Sequence, residues 1–163
     1  MSIDDLNLLR QKKRTYGSAY EQHLFEQYKL CVEMADRVSA RRVMANSFFL
    51  AVHTALIAAF AVLLKEKLLQ PTWVGMLPFA AVMLLCLTWW FMVHSYRQLN
   101  TGKFKVIHTL EQMLPVAPYD AEWVALGGGK NPRLYWPLTH VENGVPILFV
   151  VLYLLLGMAV LRG

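Results

Sequence analysis

Three long uncharged stretches alternate with charged segments along the chain. Residues 43–64 contain no charged side chain over 22 positions, and residues 72–93 form a second uncharged stretch. Residues 145–161 form a third, of 17 positions. A helix rises about 1.5 Å per residue, so 22 residues extend roughly 33 Å, which is enough to cross the hydrocarbon of a bilayer. The pattern predicts three transmembrane helices.

Aromatic residues mark the ends of the second and third spans. Trp73 lies at one end of the second span, and Trp89 and Trp90 lie near the other. Tyr135 and Trp136 precede the third span, where amphipathic rings favour the membrane interface. We expect Pro146 in the first turn of the third span, since a proline there removes no hydrogen bond of the helix.

A helical stripe of apolar and small residues precedes the first span. Residues 18–42 are predicted to form a cytoplasmic helix after a flexible tail, residues 1–17. The stripe continues into the first span, so one helix is expected to run through both. It packs either against neighbouring subunits of a homo-oligomer or against residues 94–144 of its own chain. The proposed seam consists of Leu24, Tyr28, Cys31, Ala35, Val38 and Phe49.

The region between the second and third spans also has a helical pattern. Residues 94–144 are predicted to contain a helix that starts at Asn100 or Thr101 and ends at Pro115, followed by a shorter helix near residues 120–126. Residues 65–71 are left as a short external loop. The predicted fold is an all-α integral membrane protein, with a helical cytoplasmic segment between spans two and three.

Positive charge predicts the orientation in the membrane. The segment before the first span and residues 94–144 together carry 13 of the 16 Lys and Arg residues. Basic residues favour the cytoplasmic side, so we expect a multi-pass bacterial inner-membrane protein with a cytoplasmic N-terminus and an external C-terminus. No apolar stretch in the first 42 residues resembles a cleavable signal peptide. The net charge of +5 is clustered beside the membrane, which favours anionic lipid over nucleic acid as a partner.

Two polar residues, Asn46 and His53, lie seven positions apart on one face of the first span. Polar groups in hydrocarbon need partners and usually face the interior of a helix bundle. Three interpretations follow. The pair could bond between subunits, line a hydrated path, or satisfy backbone carbonyls without further function.

Basic residues form a second candidate site. Arg41, Arg42, Arg97 and Lys103 lie near the predicted inner surface of the membrane. They are expected either to form structural ion pairs with nearby acids or to bind an anionic lipid headgroup or a small anionic ligand.

No catalytic or cofactor site is predicted. Gly127, Gly128, Gly129 and Lys130 lack the spacing and the following Ser or Thr of a phosphate loop, so we interpret them as a helix stop. The histidines have no Cys, Asp or Glu at metal-ligand spacing. No nucleophile is paired with a base, so the chain is not expected to be an enzyme.

Four stretches of the sequence resemble the RipA family of octameric bacterial membrane proteins. From Tyr28 the sequence is YKLCVEMADRVSARRVMANSFFLAVHT, and from Ser95 it is SYRQLNTGKFKVIHTLEQMLP. From Glu122 it is EWVALGGGKN, and from Tyr135 it is YWPLTHVENGVP. The resemblance covers roughly residues 25–150 and implies an inner-membrane octamer assembled through its helices and a cytoplasmic portion.

The resemblance constrains architecture more than function. The first hypothesis is a non-enzymatic homo-oligomer, an octamer, that acts as a scaffold or envelope-homeostasis factor. The alternative is a gated channel or membrane-permeabilising effector of a bacterial antiphage system, with Asn46 and His53 facing a hydrated axis.

Overall fold

The computed structural model describes residues 8–69, 72–136 and 138–162, and for Thr139 and His140 it describes the backbone alone. All elements in these ranges are helical, with no strand, which confirms the all-α prediction. They are α1 (Lys13–Tyr16), α2 (Tyr20–Lys65), α3 (Trp73–Glu111), α4 (Pro118–Ala125), a 3₁₀ turn (Gly127–Gly129) and α5 (Leu138–Arg162).

Three helices are long and apolar enough to cross a membrane. Their most apolar windows have mean hydropathies of 2.3 in α2, 2.0 in α3 and 2.6 within Val141–Arg162 of α5. Helix α2 has 46 residues without interruption. This continuity confirms that the N-terminal amphipathic helix and the first span are one helix.

Helix α3 also continues well beyond its apolar span. Its 39 residues end at Glu111, and Asn100 and Thr101 lie inside it. The expectation that either residue begins a separate helix is therefore wrong. The Thr101 hydroxyl donates a 2.9 Å hydrogen bond to the carbonyl of Arg97, four residues earlier. A hydroxyl bonded to its own helix in this way is compatible with an uninterrupted helix, so the local sequence signal for a cap was misleading.

Helix α5 begins earlier than the third apolar stretch. It starts at Leu138, so Pro146 lies inside the helix and is buried. The expectation that Pro146 belongs to the first turn is wrong. Polar residues such as Glu142 and Asn143 extend the helix at its N-terminal end, which hydropathy alone does not reveal.

The chain divides into two compact units. We call residues 8–40 and 97–136 the head unit, and residues 41–69, 72–96 and 138–162 the span unit. Helices α2 and α3 contribute to both, whereas α4 belongs to the head unit and α5 to the span unit.

Each unit has its own apolar core. The head unit buries Leu24, Tyr28, Ala35, Ile107 and Leu110. The core of the span unit is larger and richer in aromatic rings, with Phe60, Phe79, Val82, Cys86, Trp89, Val93, Phe149, Tyr153 and Val160.

Candidate functional site

His53 is completely buried in the span unit, where polar side chains from different helices meet. It comes from α2, and its partner Tyr153 comes from α5. The imidazole Nδ1 and the Tyr153 hydroxyl oxygen are 2.9 Å apart, and the same hydroxyl lies 3.3 Å from the His53 carbonyl oxygen. The Cys86 sulfur on α3 lies 3.9 Å from both ring nitrogens. Hydrogen bonding in hydrocarbon thus joins α2 to α5.

Stacked rings surround this polar pair. The imidazole of His53 stacks on the indole of Trp89 with ring centres 5.4 Å apart and planes 14° apart. The Trp89 indole also stacks on Phe49, with ring centres 5.6 Å apart and planes 11° apart, and lies 5.8 Å from the tilted ring of Phe149. The Trp89 indole Nε1–H donates to the side-chain oxygen of Asn46 at 3.0 Å, which joins α2 to α3. The side chains of Asn46 and His53 therefore lie against aromatic rings of the same chain.

The partners of Asn46 and His53 bear directly on the sequence-based interpretations. Both residues bond to side chains of their own subunit, an arrangement that sequence reasoning did not consider. His53 has no exposed surface to offer to another molecule. A role in oligomer contact or in lining a pore stays a prediction for both residues.

An ion pair joins α2 and α5 in the span unit. The Arg42 Nη1 and the Glu142 Oε2 are 3.5 Å apart, and the two side chains are only 14% and 11% exposed. Among the described residues, Nε of Arg42, Oε2 of Glu142 and Oδ1 of the neighbouring Asn143 make no hydrogen bond. A buried ion pair stabilises a fold only when its remaining donors and acceptors are also satisfied. This pair therefore retains hydrogen-bonding capacity that the described part of its own subunit does not fill.

The other predicted basic residues have different surroundings. Arg41 lies in the span unit and Arg97 in the head unit, and both are exposed. Lys103 in the head unit is half-buried and lines a groove. Of the four, the structure places Arg42 in an ion pair, whereas lipid or ligand contact stays a prediction for the set.

Glu111 is the polar centre of the head unit and is 1% exposed. Its Oε1 accepts a hydrogen bond from the Tyr28 hydroxyl at 3.0 Å and one from the backbone N–H of Tyr119 at 2.9 Å. Its Oε2 accepts from the backbone N–H of Asp120 at 3.0 Å. These two N–H groups belong to the first turn of α4, which has no side-chain cap of its own. A carboxylate at a helix N-terminus is favourable, so Glu111 caps α4 from a distance.

The same contact changes the acidity of Tyr28. Burial and the hydrogen bond to Glu111 raise the pKa of the Tyr28 hydroxyl to about 12. His108 approaches the carboxylate from the other side, with Nδ1 3.5 Å from Glu111 Oε2. Because its pKa lies far above neutral pH, the Tyr28 hydroxyl keeps its proton and donates to Glu111 throughout the neutral pH range.

The predicted seam is mostly covered by the subunit itself. Leu24, Tyr28 and Ala35 are buried against Ile107 and Leu110, and Cys31 packs against the same cluster. Val38 is half-buried, and Phe49 packs against the core of the span unit. In the head unit the stripe thus packs against the segment after the second span, which is the second arrangement that the sequence allowed, whereas Phe49 packs within the span unit. Contact of these residues with another subunit stays a prediction.

The triple-glycine segment forms a turn against an indole ring. All three glycines have positive φ, between 60° and 68°, a region that side chains other than glycine rarely adopt. A Cβ placed on Gly129 would lie 2.8 Å from Cη2 of Trp123. The glycines therefore allow the chain to reverse closely around Trp123 after α4.

Sequence reasoning missed three residues that organise these sites. In the sequence, Tyr153 looks like an ordinary residue of an apolar span and Trp89 like a residue of the membrane interface. When buried, however, the Tyr153 hydroxyl and the Trp89 indole N–H each need a hydrogen-bond partner. Sequence reasoning gave Glu111 no role in capping a helix. The available signal was the absence of Ser, Thr, Asp or Asn immediately before Pro118, which left α4 without a local cap.

Comparison with known proteins identifies a family whose model covers most of the chain. No curated protein and no solved structure matches the chain. The model of a family described as the octameric membrane protein family (8xMP) matches residues 25–162, which include the three membrane-spanning helices and most of the head unit. Because this match covers most of the sequence, the chain belongs to the octameric membrane protein family (8xMP).

Proposed function

We propose that the protein is a non-enzymatic homo-oligomer, an octamer, that acts as a scaffold or envelope-homeostasis factor in the bacterial inner membrane. The family match supports self-association. The finer assignment to RipA proteins, which depends on the motifs beginning at Tyr28, Ser95, Glu122 and Tyr135, is part of the same proposal.

The observation that carries the scaffold role is the pairing of polar groups inside one subunit. Asn46 bonds to Trp89 and His53 bonds to Tyr153, so these span residues use their hydrogen bonds to hold helices together. The exposed large residues of α5 within its span are apolar, for example Leu148, Val151 and Leu155. Such surfaces suit lipid or packed helices and not a water-filled path.

Native mass spectrometry of the gently extracted full-length protein tests the assembly. The expected result is one species containing eight subunits. A monomer or dimer under conditions that preserve the helical circular dichroism would overturn the octamer. Ion flux through proteoliposomes then separates scaffold from channel, because a scaffold gives the leakage rate of empty liposomes.

The rival function, a gated channel or membrane-permeabilising effector of an antiphage system, has one favourable observation. Ser47 and Thr54 are exposed and lie seven residues apart on the same face of α2. Induced expression with a potential-sensitive dye distinguishes the two functions. Loss of membrane potential that Ser47→Leu abolishes would favour the channel, whereas an unchanged potential supports the scaffold.

The orientation is also part of the proposal. The distribution of Lys and Arg supports a cytoplasmic N-terminus and an external C-terminus. A reporter enzyme that is active only outside the inner membrane should be active when fused after Arg162 and inactive when fused before residue 8. The reverse pattern would overturn the assignment.

Anionic lipid is the proposed membrane partner of the exposed basic residues. Arg41 and Arg97 are exposed and have no acidic partner among the ion pairs of the described residues. Replacing Arg97 by Gln should reduce the number of anionic lipids that co-purify with the protein. Arg162→Gln, at the proposed external end, is the matched control.

A further inference from the structure

An apolar groove of about 500 Å³ lies between α2 and α3 in the head unit. Leu30, Cys31 and Met34 line it from α2, and Leu99, Gly102 and Val106 line it from α3. Leu30 is 53% exposed and Leu99 is 49% exposed, so the groove is open and not part of the buried core.

Lipid does not account for this exposed apolar surface. Glu33 and Arg37 on α2 form an exposed ion pair beside the groove, and Arg97 and Lys105 on α3 are exposed as well. Four charged side chains in one stretch place this part of both helices in water, because each would be costly in hydrocarbon. A concave apolar surface in water is typical of a site that another protein surface covers.

Gly102 supports the same conclusion independently. It lies inside the continuous helix α3, where glycine costs about 1 kcal/mol relative to alanine. Its backbone has no positive φ, and a Cβ there would meet nothing within 4 Å among the described residues of the subunit. Neither the conformation nor the packing of the subunit therefore requires glycine. Close approach of a second molecule to the backbone does explain it.

We propose that this groove seats a second copy of the chain and is a subunit contact of the octamer. The inference rests on the proposed homo-oligomer, because the family match makes another copy the partner that must cover part of each subunit. In a closed ring each subunit presents one surface to the next and receives a different one in return, and an open groove can serve as one of these two surfaces.

The decisive variant is Gly102→Leu, which adds a bulky side chain to the groove lining at a position where a Cβ meets no described atom within 4 Å. Native mass spectrometry should show most of the octamer replaced by dissociated subunits, because the added side chain would obstruct the contact. Lys105→Leu, on the same helix but outside the groove lining, is the matched control and should leave the octamer intact. A wild-type protein that is not octameric would defeat the proposed function itself, whereas an octameric Gly102→Leu protein would defeat only the groove contact.

Chemical labelling of Cys31 is a second test. It uses the wild-type protein and therefore does not depend on whether a variant folds. It lines the groove and is partly exposed within the subunit. A maleimide reagent should therefore label Cys31 more slowly in the octamer than in subunits dissociated by harsher detergent, because the second copy covers the thiol. Equal labelling rates would overturn the contact. Loss of one bound lipid per subunit in Gly102→Leu, with the octamer intact, would identify lipid as the occupant and also overturn it.

Discussion

Glu111 in the head unit and His53 in the span unit are both buried almost completely, but their hydrogen bonds are satisfied in different ways. In the head unit, Glu111 accepts two backbone N–H groups and the Tyr28 hydroxyl. In the span unit, His53 is paired with the hydroxyl of Tyr153. Glu111 thus accepts hydrogen bonds from backbone N–H groups that the helix α4 leaves unpaired. His53 instead joins two helices through their side chains.

The difference follows from the surroundings of each unit. In a membrane, a helix must satisfy its own backbone along its length, so side chains are left to bond to each other. In water, a short helix such as α4 begins with unpaired N–H groups and depends on a carboxylate from elsewhere. We therefore expect the loss of Glu111 to disrupt structure and the loss of the Tyr153 hydroxyl only to weaken packing.

The largest expected effect is that of Glu111→Ala. The substitution leaves the Tyr28 hydroxyl and two N–H groups of α4 without their acceptor, which should lower the free energy of unfolding of the head unit by about 3 kcal/mol. Thermal unfolding followed by Trp fluorescence measures the loss, and proteolysis near the exposed Lys130 should accelerate. Glu122→Ala removes an exposed acid of α4 and should behave as the wild type. Equal melting temperatures for the two variants would contradict the capping role.

A smaller effect is expected for Gly129→Ala, which tests the turn after α4. The positive φ and the 2.8 Å approach to Trp123 both oppose a Cβ, so the head unit should lose about 1–2 kcal/mol of stability. Gly144→Ala in α5 is the counterpart in the span unit, where a Cβ meets nothing within 4 Å. It should leave the melting temperature unchanged or raise it slightly. A reversed order of the two variants would show that the turn is not constrained as described.

Tyr153→Phe should cost about 1 kcal/mol, because hydrogen bonds between membrane helices contribute little individually. The measurement is unfolding of the purified protein with increasing sodium dodecyl sulfate. Thr54→Val is the control, since the Thr54 hydroxyl bonds only to the carbonyl of Leu50 in its own helix. If Tyr153→Phe proved as damaging as Glu111→Ala, the distinction between the two units would fail.

The smallest effect concerns pH and the Tyr28 hydroxyl. Its pKa is about 12 in the folded protein and lies near 10.0 when unperturbed, so the unfolded chain loses this proton first. The contribution of the protonated Tyr28 hydroxyl to the free energy of unfolding is therefore complete below pH 10 and is lost as the pH rises from 10 to 12. Melting temperatures measured across this range should fall less steeply for Tyr28→Phe than for the wild type. Parallel curves would show that Tyr28 does not contribute.

Much of the fold follows from hydropathy and helical spacing. The uncharged stretches predict where helices can cross a membrane, and the stripe from Leu24 to Phe49 predicts that α2 is continuous. The ends of the helices are harder to predict from the sequence. Helix α5 begins with polar residues, and a low hydropathy there is equally typical of a loop. Similarly, a threonine with a free hydroxyl suggested a cap, and only the bond to Arg97 shows that it lies within α3.

The candidate site was predictable only in part. The sequence singles out Asn46 and His53, because polar residues within an apolar span need an explanation. Their partners are 43 and 100 residues away along the chain, and no local pattern connects such distant positions. Gly102 is a similar case. A glycine inside a helix indicates close approach of another molecule only once the structure shows that no group of its own subunit lies beside it.

The division of each unit between distant parts of the chain also sets an order of events during synthesis. Tyr28 leaves the ribosome 83 residues before Glu111. At about 5–20 residues per second, this gap lasts roughly 4–17 seconds. During that interval the apolar stripe of α2 has been made but the helix that covers it has not. The nascent N-terminal segment is therefore a natural substrate for a chaperone while the first span is already entering the membrane.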